Sequence, residues 1–348
     1  MKYDFLILGF GEVSSGWTNP QWMAYTLSKE NNSVAYFNPP AYKEVRLSHI
    51  QRLFQRLFLT NKKKYSDFKI YNSYLNDHPF FRLINYFELN KINKIISQSK
   101  NIVCFQPLWL EFLNIPNDKT TFIICDDYSS LNSSGLKQKK LDEYVAENYD
   151  KIIITHKSLN SKFPKAIFET NCISRFHFNY PSQKILDKKK KNQACFVGAL
   201  HYQKIDLDII IKVLTYNPDI DFLFAGKQHG ISIEKLSNFD NFKYLGELNF
   251  EDATHLMRES KYGLIPFSKN NYTASVSSMK YFEYIASLTI PVCTDIPMYN
   301  FLPKDLRPTL FLDDEVNLKK FFYSNLSEMR KYIFNNYRNR GLPEYGSR

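Results

Sequence analysis

Short, fully apolar runs alternate along this chain with longer segments in which apolar residues recur every three or four positions. The first pattern is typical of buried strands in a parallel sheet, and the second predicts amphipathic helices. Runs of the strand type occur in both halves of the sequence: DFLILGF, SVAYFN, NIVCFQ, TTFIICDD and KIIITHK, then ACFVGAL, DFLFAG, FKYLG, YGLIPF and IPVCT. The alternation predicts an α/β protein with two parallel sheets, each covered by helices on both faces.

A polar and basic stretch separates the two groups of strands. Residues 178–193 read FNYPSQKILDKKKKNQ, a composition that is typical of an exposed linker. Because the chain has 348 residues and single cores stop growing at about 250 to 300 residues, we expect two domains. We predict a first domain at residues 1–181, a second at residues 182–325, and a C-terminal helix at residues 326–348 that packs back toward the first domain.

The net charge of the chain limits the classes of binding partner that we expect, but it does not indicate the fold. The formal net charge of +11 favours phosphates, nucleic acid or acidic lipid headgroups. The five cysteines lie mostly in strand-like runs without the spacing of a metal site, so we expect reduced core residues. The N-terminal MKYDFLILGFGEV has the pattern of a strand rather than a secretory signal, and no apolar run approaches the roughly 18 residues of a membrane span. We therefore expect a cytoplasmic protein with no metal.

One basic segment bears on membrane contact. Residues 46–65, RLSHIQRLFQRLFLTNKKKY, place their apolar side chains on one helical face and arginine and lysine elsewhere. Such a helix either lies on an anionic membrane surface or packs on the domain with a solvated basic edge. The stretch EMRKYIFNNYRNR near the C-terminus leaves the same two interpretations open.

A glycine-containing loop follows the first predicted strand in GFGEVSSGWTNPQWMAYTL. Thr18 or Asn19 can cap the helix after it, with Pro20 in the first turn. Open α/β sheets bind ligands at such strand ends, but the glycine spacing differs from the dinucleotide-binding fingerprint. The loop is either a plain turn or a ligand loop, in which Glu12 is a candidate catalytic residue.

Two adjacent carboxylates, Asp126 and Asp127, end the strand TTFIICDD. Their mutual repulsion can raise one pKa and make that residue a proton acceptor near neutral pH. Alternatively, Asp-Asp followed by Ser-Ser simply forms a turn or caps a helix. His156 ends another strand and is expected to be structural. Asp206 begins an apparent helix and is expected to cap it rather than to bind a metal.

Several candidates for anion binding converge in the second half. Glycine at a strand end lets the backbone approach a phosphate, and lysine supplies a positive charge. The helix beginning SSMKYFEYIA carries a lysine in its first turn, where the helix dipole disfavours a cation and attracts an anion. The candidates are Gly198, Lys204, Gly226, Lys227, Ser275, Ser277, Ser278 and Lys280.

Glu283 interrupts the apolar face of that helix. It lies too late to complete a capping box with the serines before the helix. One interpretation is a surface ion pair with Lys280, three residues earlier. The other interpretation is a ligand contact.

A family resemblance covers most of the chain. In order, FVGAL…KID, FLFAGK, FKYLG, YGLIPF and KYFEYIA…PVCTD resemble the nucleotide-binding lobe of bacterial glycosyltransferases with the GT-B fold. The segments NPQWMAYTL, VAYFNPP, CDDYSSL and KIIITHKSL resemble the group 1, family 4-like transferases of teichuronic-acid and exopolysaccharide biosynthesis. The resemblance implies an α/β fold with two facing Rossmann-like domains and a central cleft.

The resemblance also implies roles for the second-domain candidates. Glu283 would bind both ribose hydroxyls of a nucleotide, and the backbone near Leu245 and Gly246 would border the base. Lys204 would offset charge on the leaving diphosphate. The residues that would face the diphosphate at the helix N-terminus are Ser277, Ser278 and Lys280.

Two departures from the family pattern leave the stereochemical outcome open. Many retaining members carry a second glutamate eight residues before the ribose-binding one, where this chain has Ser275. The arginine expected after Gly198 is Ala199. If the enzyme inverts configuration, Asp126 or Asp127 would be the base; if it retains configuration, neither need be one.

The resemblance implies a metal-independent glycosyltransferase without a cofactor. Its donor would be a UDP- or GDP-linked sugar and its acceptor a glycan or lipid-linked glycan, in capsule, lipopolysaccharide or related polysaccharide synthesis on the inner face of the cell membrane. One alternative is a nucleotide-sugar epimerase on the same fold. Another is a non-catalytic anion or nucleic-acid binder, whose affinity would fall steeply with salt. The sequence has no zinc module or RNP-like motif, so no nucleic-acid partner is expected.

Overall fold

The computed structural model of the chain describes residues 2–11, 13, 18–40, 67–73, 75, 81–130, 135–169, 171, 173, 175–178 and 190–336. Three predicted features lie outside these residues: Glu12, the basic segment 46–65, and the domain boundary between residues 181 and 182.

Seven strands form the first sheet. They are β1 Tyr3–Leu8, β2 Val34–Phe37, β3 Lys69–Tyr71, β4 Ser99–Cys104, β5 Thr120–Ile124, β6 Ile152–Ile154 and β7 Ile167–Phe168. All pair in parallel, in the order β3-β2-β1-β4-β5-β6-β7. Among the described residues, three helices cover the sheet: α1 Asn19–Lys29, α2 Arg82–Gln98 and α3 Gly135–Asn148. Because successive strand residues face opposite sides, Leu6 and Leu8 pack with α2 and α3 while Ile7 packs with α1.

A second, five-stranded sheet follows, with a small two-stranded sheet beside it. The strands are β8 Lys191–Val197, β9 Leu200–His201, β10 Asp221–Ala225, β11 Gln228–His229, β12 Phe242–Tyr244, β13 Ser260–Ile265 and β14 Ile290–Cys293. The larger sheet has the parallel order β12-β10-β8-β13-β14, and β11 pairs with β9. The helices are α4 Leu207–Tyr216, α5 Phe250–Glu259, α6 Met279–Ala286 and α7 Leu326–Asn336. One continuous core joins them to the sheet.

Each large sheet reverses its strand order beside a central strand. In the first, β1 lies between β2 and β4; in the second, β8 lies between β10 and β13. Connections then leave the sheet on opposite sides and open a crevice at the carboxyl ends of the strands, where ligands bind in folds of this kind. The functional candidates lie at these ends.

The sequence pattern identified the long elements correctly. A strand is present in each of the ten apolar runs, and α6 occupies the predicted helix. The additional strands β3, β7, β9 and β11 have only two or three residues, too few to show a period. The four cysteines in the described residues are buried and free, as predicted. Among the described residues, no helix has the length and apolarity needed to span a bilayer.

Two predicted helix caps are confirmed. Thr18 is the N-cap of α1, and its backbone N–H donates to Gln21 Oε1 at 3.1 Å, as in a capping box. Asp206 is the N-cap of α4, and its Oδ1 accepts from the Ile209 N–H at 3.0 Å. Capping therefore explains Asp206 without a metal.

The prediction of an exposed linker is wrong at its C-terminal end. Strand β8 begins at Lys191, and Lys190 is partly buried under the second sheet. Its ammonium group donates to four oxygens: those of the Arg258, Ser260 and Ser287 carbonyls at 2.8, 3.0 and 3.0 Å, and Thr289 Oγ1 at 3.0 Å. These carbonyls end α5 and α6, so this lysine binds two helix C-termini, where a cation is favourable.

Phe178, at the other end of the predicted linker, is also buried. Its ring lies 5.1 Å from that of Phe334 in α7, and its carbonyl accepts from Arg330 Nη2 at 3.2 Å. Arg330 Nε donates to the Ala286 carbonyl at the end of α6, 2.8 Å away. Helix α7 therefore contacts both α6 and the segment that leaves the first sheet, while the predicted domain limits stay a prediction.

Candidate active site

The carboxyl ends of the two large sheets meet in one crevice. The Asp127 N–H, just after β5, donates to Ser275 Oγ at 3.1 Å, before α6. Asn171, beyond β7, donates through Nδ2 to the Ser277 carbonyl at 2.6 Å. The strand ends that the sequence analysis singled out in the two domains are therefore in direct contact.

Glycine turns line the second-domain side of the crevice. Gly198 follows β8 and Gly226 follows β10, and a Cβ atom on Gly226 would lie 1.8 Å from the Gly198 carbonyl oxygen. Only glycine fits at such a distance. The Gly226 N–H in turn donates to the Gly246 carbonyl at 2.8 Å, and Gly246 has a φ of 73°, which glycine adopts without strain. Leu245 pairs with Phe224 through its N–H at 2.8 Å. These turns bring the backbone segments at Gly198, Gly226 and Gly246 into close contact.

The N-terminus of α6 faces this surface without a carboxylate of its own. Its N-cap residue, Ser278, makes no side-chain cap, and the first turn contains no acid. Instead the Ser278 N–H donates to Met298 Sδ at 3.1 Å. Lys280 lies over the first glycine turn, with its Cε atom 3.9 Å from the position of a Cβ on Gly198. A helix N-terminus, a lysine and a glycine turn together suit a phosphate group.

Glu283 is buried one turn further along α6, with 2% of its surface exposed. Its carboxylate pairs with the Lys280 ammonium, and its Oε1 lies 3.7 Å from His177 Nε2. Burial favours the neutral carboxyl, but the charge of Lys280, supported by His177, lowers the pKa of Glu283 below its usual value. The expected pair with Lys280 is present, but the expectation that it lies at the surface is wrong.

His177 is a site residue that the sequence analysis missed. It is 1% exposed, and neither ring nitrogen has a hydrogen-bond partner among the described residues. Burial lowers its pKa to about 4, so the ring is neutral at pH 7. The rings of Trp22 and Phe250, one from each domain, lie 6.2 and 5.1 Å away. His177 lies in a four-residue 3-10 helix, Arg175–Phe178, which is too short to show a period, so the sequence carried no signal for it.

The neighbouring carboxylates at the end of β5 have different environments. Asp127 accepts hydrogen bonds from Ser129 at 2.7 Å, Ser130 at 2.8 Å and Lys162 at 2.5 Å. Burial opposes ionisation, but these donors outweigh it and lower the pKa of Asp127. Turn formation, one of the two interpretations of the sequence, therefore accounts for Asp127.

Asp126 faces the second domain instead. Its Oδ2 lies 3.5 Å from the Tyr272 hydroxyl. Burial raises the pKa of Asp126, and the nearby Lys204 ammonium opposes the rise. Burial likewise lowers the pKa of Lys204, and Asp126 opposes that fall. The crevice thus brings together Asp126 and Lys204, and burial shifts the pKa of each group in the direction that favours its neutral form. The Lys204 Nζ lies 4.7 Å from the centre of the Phe267 ring.

A second polar connection across the crevice was also missed. Asn19 Nδ2 donates to Asn171 Oδ1 at 2.5 Å, and Asn171 Nδ2 donates in turn to the Ser277 carbonyl. The sequence analysis considered Asn19 only as a helix cap and gave no role to Asn171. The two asparagines are 152 residues apart in sequence, so only the fold shows that they touch.

The remaining candidates lie further from this centre or outside the described residues. Lys227 follows Gly226 and accepts the Leu200 N–H through its carbonyl at 2.8 Å, beside the small sheet. Ser275 is engaged with Asp127 and with the Tyr272 carbonyl, 3.0 Å from its Oγ. Within the part of the chain that the structure describes, no group of three or more His, Cys, Asp or Glu residues is placed to hold a metal ion.

Sequence comparison gives one short match among curated proteins. No protein-family model matches the chain. TuaH of Bacillus subtilis, assigned to teichuronic acid biosynthesis as a glycosyltransferase, is 24% identical over 127 residues. That match covers 36% of this chain, and the chain spans only 32% of the length of TuaH.

Structural comparison covers nearly the whole chain. HepE from Anabaena, solved in complex with UDP and glucose, aligns over 97% of this chain and 96% of its own, with 10% identity and a TM-score of 0.64. Sucrose-phosphate synthase from Thermosynechococcus elongatus aligns over 96% of this chain and 95% of its own, with 10% identity and a TM-score of 0.62. The predicted fold class is confirmed: the chain has the GT-B fold, with two facing Rossmann-like domains.

Proposed function

We propose that this chain, which has the GT-B fold, is a glycosyltransferase that moves a sugar from a nucleotide diphosphate to a glycan in cell-surface polysaccharide biosynthesis. The observation that carries the proposal is the buried Glu283–Lys280 pair at the start of α6, beside the glycine turn at Gly198. The relatives agree with it, since HepE was solved with UDP and glucose and TuaH is assigned to teichuronic acid synthesis.

The second domain holds the donor in this proposal. The diphosphate lies between the α6 N-terminus, where the helix dipole favours an anion, and the glycine turns, which let the backbone approach it closely. Lys280 leaves Glu283 and turns toward the phosphates, and the freed carboxylate accepts two hydrogen bonds from the ribose hydroxyls. The backbone at Leu245 and Gly246 borders the base. Binding of the nucleotide diphosphate thereby breaks the ion pair between Lys280 and Glu283. Lys280 pairs with the phosphates instead, and Glu283 accepts hydrogen bonds from the ribose.

Transfer takes place where Lys204 and Asp126 meet. The Lys204 ammonium offsets negative charge on the diphosphate as the glycosidic bond breaks. On the opposite side, Asp126 accepts the proton of the acceptor hydroxyl, and its raised pKa suits that role. Asp127 suits this role less, because its oxygens already accept hydrogen bonds from two serines and a lysine.

The acceptor side of the proposal rests on charge. A formal net charge of +11 suits a glycan that is carried on an anionic lipid at the inner face of the membrane. The donor is a UDP- or GDP-linked sugar, and the reaction needs no metal because lysines and N–H groups neutralise the diphosphate. The basic segment 46–65 would add a membrane contact.

Calorimetric titration with UDP, GDP, TDP and ADP, without added metal, tests the donor site. We expect one nucleotide to bind selectively and Glu283→Ala to weaken its binding by about 1 to 3 kcal/mol, the scale of a hydrogen bond to a charged group. Glu234→Ala, an exposed glutamate of the same domain, is the matched control and should bind like the wild type. Absence of binding to all four nucleotides would remove the basis of the proposal. Conversion of a bound nucleotide sugar without any acceptor would favour the epimerase instead.

A further inference from the structure

The first two turns of α2 expose an apolar surface. Leu83, Tyr86 and Phe87 are 69%, 62% and 64% exposed, and Ile84 between them is 36% exposed. Further along the same helix, Ile92 and its neighbours are buried against the first sheet. Four large apolar side chains within five positions form a continuous patch, which soluble surfaces rarely carry without a partner. We call Leu83, Ile84, Tyr86 and Phe87 the α2 patch.

Among the described residues of α2 and β3, the exposed charges near the α2 patch are mostly positive. Arg82 and Lys94 are exposed, and the Lys91 side chain is 41% exposed. The one acid of the helix, Glu88, is only 12% exposed and pairs with Lys91 at 3.3 Å. Lys69, from the adjacent strand β3, is exposed as well, and its ammonium shares the Tyr71 ring with that of Lys91, at 5.4 and 5.8 Å from the ring centre. The border of the patch is therefore basic.

The position of the α2 patch follows from the chain direction. Helix α2 leads directly into β4, so it runs antiparallel to the strands, and its first turns lie at their carboxyl edge. The same edge carries Asp126 after β5. At 1.5 Å per residue, the 17 residues of α2 extend about 25 Å, which separates the patch from the opposite edge of the sheet. The patch is thus on the crevice side of the first domain.

We propose that the α2 patch docks on an anionic lipid surface. Its apolar side chains enter the boundary between headgroups and acyl chains, while Arg82, Lys91 and Lys94 contact anionic headgroups. A second copy of this chain, which itself carries +11, offers no excess of negative charge to match such a border. The role of this docking rests on the proposed function, since a patch bound to the membrane would hold the crevice beside a lipid-linked acceptor.

Sedimentation of the full chain with vesicles tests the docking. Vesicles of phosphatidylcholine with phosphatidylglycerol should bind the wild type, and vesicles of phosphatidylcholine alone should bind it at least about tenfold more weakly, since each headgroup contact of a basic residue is worth several-fold. The variant Leu83→Ser, Tyr86→Ser, Phe87→Ser should lose at least about tenfold in affinity for the mixed vesicles. The matched control, Tyr216→Ser with Phe322→Ser, changes residues of the second domain that are 68% and 71% exposed, and should bind like the wild type.

Four results would overturn the docking proposal. The first is unchanged vesicle binding of the triple variant. The second is a lowered melting temperature of that variant without lipid, which would mean that other parts of the chain cover the patch. The third is a dimer of the wild type that the variant dissociates in sedimentation velocity. The fourth is equal binding to both kinds of vesicle. Nucleotide titration without vesicles is a separate measurement, so failure of the donor site and failure of docking can be told apart.

Discussion

At the scale of single residues, two adjacent carboxylates show that the residue type alone does not determine the function of a side chain. Asp126 and Asp127 are equivalent in the sequence, and both end the same apolar run. In the fold, Asp127 is fixed by Lys162, which is 35 residues away, while Asp126 meets Tyr272, which is 146 residues away. Their roles depend on these distant partners. The pair was therefore predictable as a candidate, but the choice between its members was not.

The two residues should respond differently to removal of charge. We expect Asp126→Asn to lower kcat by about 100-fold or more, the scale of general-base catalysis, with little change in stability. Asp127→Asn should lower the free energy of unfolding, because its ammonium partner loses a counter-charge, and should affect kcat less. Steady-state transfer rates and urea unfolding of both variants provide the measurement. A larger kcat loss for Asp127→Asn would reverse the assignment.

The candidate residues for donor binding were found from the sequence for a related reason. Gly198, Gly226 and Lys280 can be recognised from their residue types, because they lie at the ends of strands and helices. At such ends the backbone can bind an anion whatever the rest of the fold. His177 lies in a four-residue 3-10 helix and Asn171 outside any helix or strand, and at neither position does spacing or residue type indicate a partner. Local chemistry therefore reveals those site residues that act through the backbone, and conceals those that act through contacts made by the fold.

At the scale of elements, the fold was predictable wherever an element is long enough to show its period. Strands such as β5 and β13 are apolar throughout, and α6 has a clear helical stripe. The polar start of β8 was assigned to a linker because lysine and asparagine do not resemble a strand. The structure explains the exception, since Lys190 binds the ends of two helices before β8 begins.

Replacement of Lys190 should therefore cost far more than its sequence neighbourhood suggests. In Lys190→Met, three carbonyls lose their donor, and we expect the free energy of unfolding to fall by about 3 kcal/mol. The adjacent Lys191 pairs with Glu259 at 2.5 Å but is 61% exposed, so Lys191→Met should cost less than about 1 kcal/mol. Urea unfolding of the two variants compares them directly. An equal loss of unfolding free energy in the two variants would show that the Lys190 ammonium group does not stabilise the ends of α5 and α6.

At the scale of the whole molecule, the two-domain fold followed from length and from the two groups of strands. What the sequence could not supply is how the domains touch, because those contacts join residues more than 100 positions apart. The stability of the whole chain also depends on buried titratable groups, among them His156, which the sequence analysis expected to be structural, and His177, which it missed.

Acid should destabilise the protein within a defined window. Burial lowers the pKa of both His156 and His177 to about 4, whereas an unfolded histidine titrates near about 6.5. Between these values the unfolded chain binds more protons, so the free energy of unfolding falls as the pH decreases from about 6.5 toward about 4.

Urea unfolding at pH 7 and pH 5 measures this loss. The double variant His156→Asn, His177→Phe should lose less stability over that interval, by about 2 kcal/mol for each histidine replaced. The control His255→Asn, at a histidine that is 62% exposed, should follow the wild type. A double variant with the wild-type pH dependence would contradict the prediction.

The hydrogen bonds across the crevice have a consequence for the populations of the molecule. Those from Asp127 to Ser275 and from Asn171 to Ser277 join the two domains directly. With a net value near about 1 kcal/mol each, they stabilise this arrangement of the domains by a factor of roughly thirty. A ligand that requires the domains to separate would show an apparent affinity reduced by the same factor. Substrate affinity therefore depends on these contacts between the domains as well as on the groups that touch the substrate.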